Sequence, residues 1–159
     1  MTAKARLLVG ALALTLLGSA AATVHAEDKM MAPKDKVMAP AGAMVQGNFR
    51  KAEAPVSGSF SIRKENGKQL LVLSADFKTN PDAPDLKIAF SPSATPLAGS
   101  KPPAYALKPG SYTVLAPLKS ASGAQSYVIP ASIDLKKQGS LLIWCQKFNA
   151  TMAWAPLKP

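Results

Sequence analysis

One cysteine, Cys145, stands in a chain of 159 residues that has a single histidine and six methionines. A thiol can serve as nucleophile, redox centre or soft metal ligand, and the thiolate is its reactive form. Buried in an apolar strand, the same side chain is a small hydrophobe. Both readings are open for Cys145, because it closes S-L-L-I-W-C at residues 140–145, the most apolar run outside the N-terminus. Trp144 beside it is the second candidate redox residue. Four methionines, Met30, Met31, Met38 and Met44, fall in one stretch. Thioethers suit Cu(I), which makes them candidate copper ligands, although methionines in a tether are more often incidental. Asp76, Asp82 and Asp85 lie close in sequence, but their spacing matches no calcium loop, and solvated turn residues account for them.

The remaining residues exclude most catalysis. The only histidine, His25, falls in a stretch expected to be removed, so no Ser-His-Asp or Cys-His arrangement is available, nor a histidine-based metal site. No glycine-rich phosphate loop and no metalloprotease motif is present. The expectation is a protein that is not an enzyme. Asn149-Ala150-Thr151 is formally a glycosylation acceptor, but it falls in a predicted strand and is set aside.

The N-terminus reads as an address. Lys4 and Arg6 precede a short apolar core at residues 7–18, and Val24 and Ala26 put small residues at the two positions a signal peptidase reads. Cleavage after Ala26 is expected, with the mature chain periplasmic or extracellular. No cysteine follows the core, which excludes lipid anchoring, and no Arg-Arg pair precedes it. The Gly, Ser, Thr and Ala beyond it argue against a stable membrane anchor. The formal charge of +10 falls to +8 when Lys4 and Arg6 leave. One domain fits the remaining length. A lone cysteine in an oxidising compartment cannot form an internal disulfide, so it must be buried, paired with another molecule, or functional.

Residues 27–45 read as a disordered linker, rich in Ala, Pro, Lys and Met, with K-M-M-A-P at 29–33 answered by K-V-M-A-P at 36–40. From residue 46 the pattern becomes strands and turns. Strands are predicted at 46–50, 57–63, 69–74, 85–91, 111–116, 125–129, 140–145 and 148–154. In the second, Phe60 and Ile62 point inward and Ser59, Ser61 and Arg63 outward. Asn66-Gly67 between the second and third is a strong hairpin signal, since both residues tolerate positive φ. The fifth and sixth are expected to join around Ser122-Gly123. In the seventh, Leu141, Ile143 and Cys145 share one face and Leu142, Trp144 and Gln146 the other. Residues 92–110 form a long Pro-, Ser- and Gly-rich loop, and loops of that length are usually functional or mobile. A connector with one helical turn is expected at 130–139. About eight short strands with turn signals between them predict an all-β antiparallel sandwich over residues 46–157.

The basic residues are dispersed. Their longest clusters are pairs, Arg50-Lys51, Arg63-Lys64 and Lys136-Lys137, with no tyrosine beside them. Nucleic-acid binding wants a concentrated stripe with aromatic platforms, so that class is excluded. Attraction to an acidic envelope surface or redox partner remains open.

Several spaced motifs agree in order. Leu118-Lys119-Ser120 is followed by Gly123, Gln125, Tyr127 and Ile129-Pro130. Pro84-Asp85-Leu86 precedes a strand. Leu142-Ile143-Trp144-Cys145 is followed by Phe148-Asn149. Gly47-x-Phe49 and Ser57-Gly58 open the domain. Together they resemble the DM-thirteen domain family over residues 46–157. The resemblance implies a small extracytoplasmic β-sandwich, found in larger proteins beside DOMON and cytochrome-b-type domains. It also implies a proposed part in electron transfer, with the cysteine at position 145 as the redox-active residue. Asp85, Gly123, Gln125, Tyr127, Pro130 and Phe148 are then family-motif positions. Members commonly carry a histidine five positions after the first-strand phenylalanine, where this chain has Ala54. No cofactor follows from the residues. Two expectations result: a non-enzymatic redox module of the cell envelope centred on Cys145, or a structural or protein-binding module in which Cys145 is core packing.

Overall fold

Two families of apolar positions, separated along the chain by turns, build two sheets that face each other. The computed structural model describes residues 42–158. In chain order the strands are β1 (Ala43–Asn48), β2 (Arg50–Lys51), β3 (Ser59–Glu65), β4 (Lys68–Leu73), β5 (Leu86–Ser91), β6 (Thr113–Pro117), β7 (Gln125–Ile129), β8 (Ser140–Cys145) and β9 (Ala150–Pro156). One sheet has the order β1-β3-β4-β7 and the other β2-β9-β8-β5-β6, with all pairings antiparallel. The fold is the all-β sandwich expected, with nine strands for the eight predicted and one 3₁₀ turn at Leu135–Lys137.

The first predicted strand is two strands. Phe49 leaves the ladder between β1 and β2, and the chain passes there from one sheet to the other. Its ring packs against Phe60 and Phe77, with centroids 5.9 and 5.3 Å apart, so the crossing is held by aromatic burial. β1 begins at Ala43, which puts Met44 and Val45 in the sheet rather than in a linker. Met44 is exposed there, and Val45 packs against the core. The expected leader, the expected linker up to residue 41, and Met30, Met31 and Met38 lie outside the described residues.

β3 starts at Ser59 rather than Ser57 because Gly58 takes φ +89°, which ends extended backbone. Phe60 and Ile62 point inward as expected, but Ser61 is buried too. The Asn66-Gly67 hairpin forms with φ of 49° and 77°, and Glu65 stands opposite Lys68. The Glu65 carboxylate turns instead to Arg63, at 3.1 Å. β6 and β7 are not a hairpin: β6 pairs with β5 and β7 with β4, in different sheets, so residues 118–124 bridge the sandwich.

Between the sheets lies the main core, built on Phe60, Ile62, Leu71, Leu73, Phe77, Ile88, Phe90, Leu141 and Ile143, with Cys145 among them. Burying each large side chain of this kind contributes about 1.5–3 kcal/mol. A second, smaller cluster of Ala89, Leu107, Leu142 and Trp144 lies apart from it, with Tyr112 and Trp154 packed alongside. β8 is buried at all six positions because it is a central strand that serves both clusters.

Candidate functional site

The end of β8 places the candidate residues. Consecutive strand residues face opposite ways, so Cys145 joins the inter-sheet core and Trp144 the smaller cluster. Cys145 is a free cysteine with no solvent exposure. Leu86 on β5 and Ala150 on β9 stand opposite it. Its surroundings are apolar core, and a thiol–disulfide exchange, which needs sulfur to meet sulfur, has no approach while β8 is intact.

Trp144 is held by polar contacts as well as packing. Its ring lies 4.6 Å from that of Tyr112, at an interplanar angle of 52°. Its Nε1–H donates to Asn149 Oδ1 at 3.0 Å. The same oxygen accepts from the Leu107 N–H at 3.1 Å, and Asn149 Nδ2 donates back to the Leu107 carbonyl at 3.1 Å. Asn149 takes φ +47°, a left-handed conformation that asparagine tolerates, and this ends the turn before β9. The predicted strand at 148–154 therefore begins two residues late, and Asn149 is a turn residue. Next to it, Thr151 N–H donates to the Ala104 carbonyl at 2.8 Å, and Thr151 Oγ1 donates to the Tyr105 carbonyl at 2.8 Å. The loop at 92–110, expected to be functional or mobile, is thus pinned along residues 104–107. A bulge between Ile143 and Trp144 in the β8–β9 pairing accompanies this, and Trp154 packs on the Trp144 cluster.

Asp85, in the turn just before β5, reaches the same corner. Its carbonyl accepts from the Gln146 N–H at 2.9 Å, and its carboxylate pairs with Lys87 at 2.7 Å. Phe148 occupies the turn tip and is 63% exposed, with Lys147 Nζ 5.7 Å from its ring centre. Cys145, Trp144, Asp85 and Phe148 thus meet at one end of the five-stranded sheet. Asp76 and Asp82 do not join them. Among the described residues no group of three His, Cys, Asp or Glu could hold a metal ion. Ala54 is buried in the main core and donates its N–H to the Met152 carbonyl at 3.3 Å.

The other motif residues form a separate corner on the four-stranded sheet. Tyr127 Oη donates to Gln125 Oε1 at 2.6 Å and accepts from the Lys119 N–H at 2.9 Å. Gln125 Oε1 also accepts from the Ser120 N–H, and its Nε2 donates to the Ser120 and Gly123 carbonyls. Gly123 takes φ +87° and donates its N–H to the Phe77 carbonyl at 2.8 Å. Lys119 Nζ sits 4.8 Å from the Tyr127 ring centre. Burial pushes the Tyr127 hydroxyl pKa above its usual 10.0, with the Lys119 N–H hydrogen bond pulling the other way. Pro130 follows β7 and accepts from the Ile133 N–H at 3.0 Å. These residues lock the crossing from β6 to β7 and form no reactive centre.

Sequence reasoning missed Asn149 and Tyr112 as partners of Trp144. Asn149 was visible as a motif position and as a formal glycosylation acceptor, and nothing local marks Leu107 as what it binds. No helix among the described residues is long and apolar enough to cross a membrane. No curated protein and no solved structure matches the chain. The family model described as electron transfer DM13 matches residues 48–157, which is more than half of the chain and nearly all of the sandwich. The chain belongs to the electron transfer DM13 family.

Proposed function

We propose that this protein is an exported, non-enzymatic redox module of the cell envelope, with Cys145 as its redox-active residue and another envelope protein as its electron partner. The observation that carries the reading is the setting of Cys145. The one cysteine of an electron-transfer domain sits at the end of a central strand, next in sequence to an indole whose ring and N–H are both held. A sulfur with no exposure is closed to disulfide exchange, so electrons would pass through the protein. Trp144 and the partly buried Tyr112 are the groups that lead from β8 toward the outside of the five-stranded sheet.

A second reading rests on the same burial. Cys145 lies wholly within the apolar core, as a cysteine that only packs would, and the domain would then be a structural or protein-binding module. Anaerobic exchange of electrons with a soluble one-electron mediator separates the two. The redox reading expects a reversible one-electron signal from the purified chain that Cys145→Ala abolishes while the melting transition stays cooperative. An identical signal in the variant, or none in the native protein, would leave the packing reading.

A further inference from the structure

Both tryptophans belong to the smaller cluster on the five-stranded sheet, and they differ in what surrounds them. Trp144 is buried, and its ring lies 4.6 Å from that of Tyr112. Among the described residues no other tyrosine ring packs on a tryptophan. The Trp144 N–H donates to Asn149 Oδ1, an amide oxygen that also accepts from the Leu107 N–H. An amide oxygen accepts hydrogen bonds but takes no proton at neutral pH. An oxidised Trp144 therefore keeps its N–H proton, and with it the positive charge that makes an indole radical cation a strong oxidant. Trp154 is only partly buried and has the Arg50 guanidinium 5.1 Å from its ring centre. That cation opposes a second positive charge on the same ring.

Tyr112 is the group placed to take that charge. Its side chain is half-buried, and among the described residues its hydroxyl has no hydrogen-bond partner. The hydroxyl is nevertheless not one of the sealed polar atoms, so it meets water, which can receive its proton. Tyr127, by contrast, lies on the other sheet with its hydroxyl held by Gln125 and Lys119. We infer that Trp144 and Tyr112 form a proton-coupled electron relay, with Tyr112 as its outer end and Trp154 left off it. A one-electron acceptor oxidises Trp144. Tyr112 then returns one electron to the Trp144 radical cation and gives its hydroxyl proton to water, which restores the indole and leaves a neutral tyrosyl radical. A one-electron donor, with a proton from water, restores Tyr112. The electron partner thus meets the domain at Tyr112, and its exchange is coupled to a proton. The assignment rests on the reading of the domain as an electron carrier, but it does not require Cys145 to be the redox centre.

The test is laser flash photolysis of the full chain carrying Trp154→Phe, in which Trp144 is the one indole left. An ultraviolet pulse ionises it, with nitrate present to take up the ejected electron. The tryptophanyl absorption should decay as a tyrosyl absorption rises, at a rate independent of protein concentration and slower in D2O. Tyr112→Phe keeps the ring that packs on Trp144, so the chain should still melt cooperatively while the delayed tyrosyl rise is lost and the tryptophanyl radical persists. Cys145→Ala should leave the transfer unchanged, whatever it does to the exchange with a soluble mediator, so the relay and the cysteine centre fail separately. With both indoles present the tryptophanyl signal should again give way to the tyrosyl one, and Arg50→Met should leave part of it on Trp154. The assignment is overturned if no delayed tyrosyl rise follows the flash, if the rise persists in Tyr112→Phe, or if it needs Cys145. Equal rates in water and D2O would overturn the proton coupling. Complete transfer in Arg50→Met would overturn Arg50 as what keeps Trp154 off the relay.

Discussion

The two corners that hold the family-motif residues solve opposite problems. At the Gln125–Tyr127 corner the side-chain contacts are local: Tyr127 reaches back eight residues to Lys119 and two to Gln125, and only the Gly123 N–H reaches a distant segment, at the Phe77 carbonyl. The network closes on itself and shapes one crossing. At the Trp144–Asn149 corner the decisive contacts span 42 residues, from Asn149 to Leu107, and they dock a long loop onto the sheet. Only at this corner does an apolar thiol lie beside the polar clamp. A local network can be loosened without moving the rest of the fold. A clamp between distant segments fails as a unit, because releasing it exposes backbone groups on both sides and uncovers an aromatic cluster.

Asn149→Ala breaks that contrast most directly. It orphans Trp144 Nε1 and both backbone groups of Leu107, and puts alanine at positive φ. The expected loss is about 2–4 kcal/mol in chemical denaturation. Hydrogen exchange should speed at Leu107 and leave Gln125 and Tyr127 protected. Equal protection of both corners would end the distinction between them.

Cys145→Ser comes next. A hydroxyl replaces sulfur in the inter-sheet core, and a loss of about 1–3 kcal/mol is expected, since a buried hydroxyl needs a partner. A variant as stable as the native chain would show that the core offers one.

Tyr127→Phe should cost less, about 1 kcal/mol, because only local hydrogen bonds are lost. It carries a pH signature as well. Desolvation raises the folded pKa above 10.0, so the unfolded chain loses its proton first as pH climbs. Stability that is complete below pH 10 is therefore lost as pH rises through the folded pKa. Unfolding followed across this alkaline range should be less pH-dependent in the variant. An unchanged pH dependence would exclude Tyr127 as its source.

Lys87→Met sharpens the comparison from the weak end. Its partner Asp85 is at the Cys145 corner, but the pair is partly exposed, and at most about 1 kcal/mol is expected. A larger loss would mean that charge, rather than the Asn149 amide, holds the corner.

The sequence exposed the parts of the fold that local pattern dictates. Both faces of β8 were legible because both sets of alternate residues are apolar, and the Asn66-Gly67 turn because its two residues accept positive φ. The assignment of β6 and β7 to different sheets was not legible, since a Ser122-Gly123 turn signal says where the chain bends and nothing about which sheet it bends into. The site was half legible. The types and spacing of Trp144 and Cys145 placed them on opposite faces of one strand. Leu107 comes from a loop without periodicity and Tyr112 from the start of a predicted strand that the fold begins just after it, at Thr113, and only the folded chain brings them to Trp144 and Asn149. Gln125 and Tyr127 were visible as motif residues, but their roles as mutual hydrogen-bond partners depend on the crossing they stabilise.

The account stands most directly on the closure of Cys145. The decisive measurement is the rate at which a small thiol reagent labels the native chain at neutral pH, compared with the denatured chain. Burial in the inter-sheet core predicts no prompt labelling of the native protein, and one thiol per chain reacting promptly once the protein is denatured. Prompt stoichiometric labelling of the native chain, or a native dimer linked through Cys145, would contradict it and open the sulfur to direct exchange chemistry.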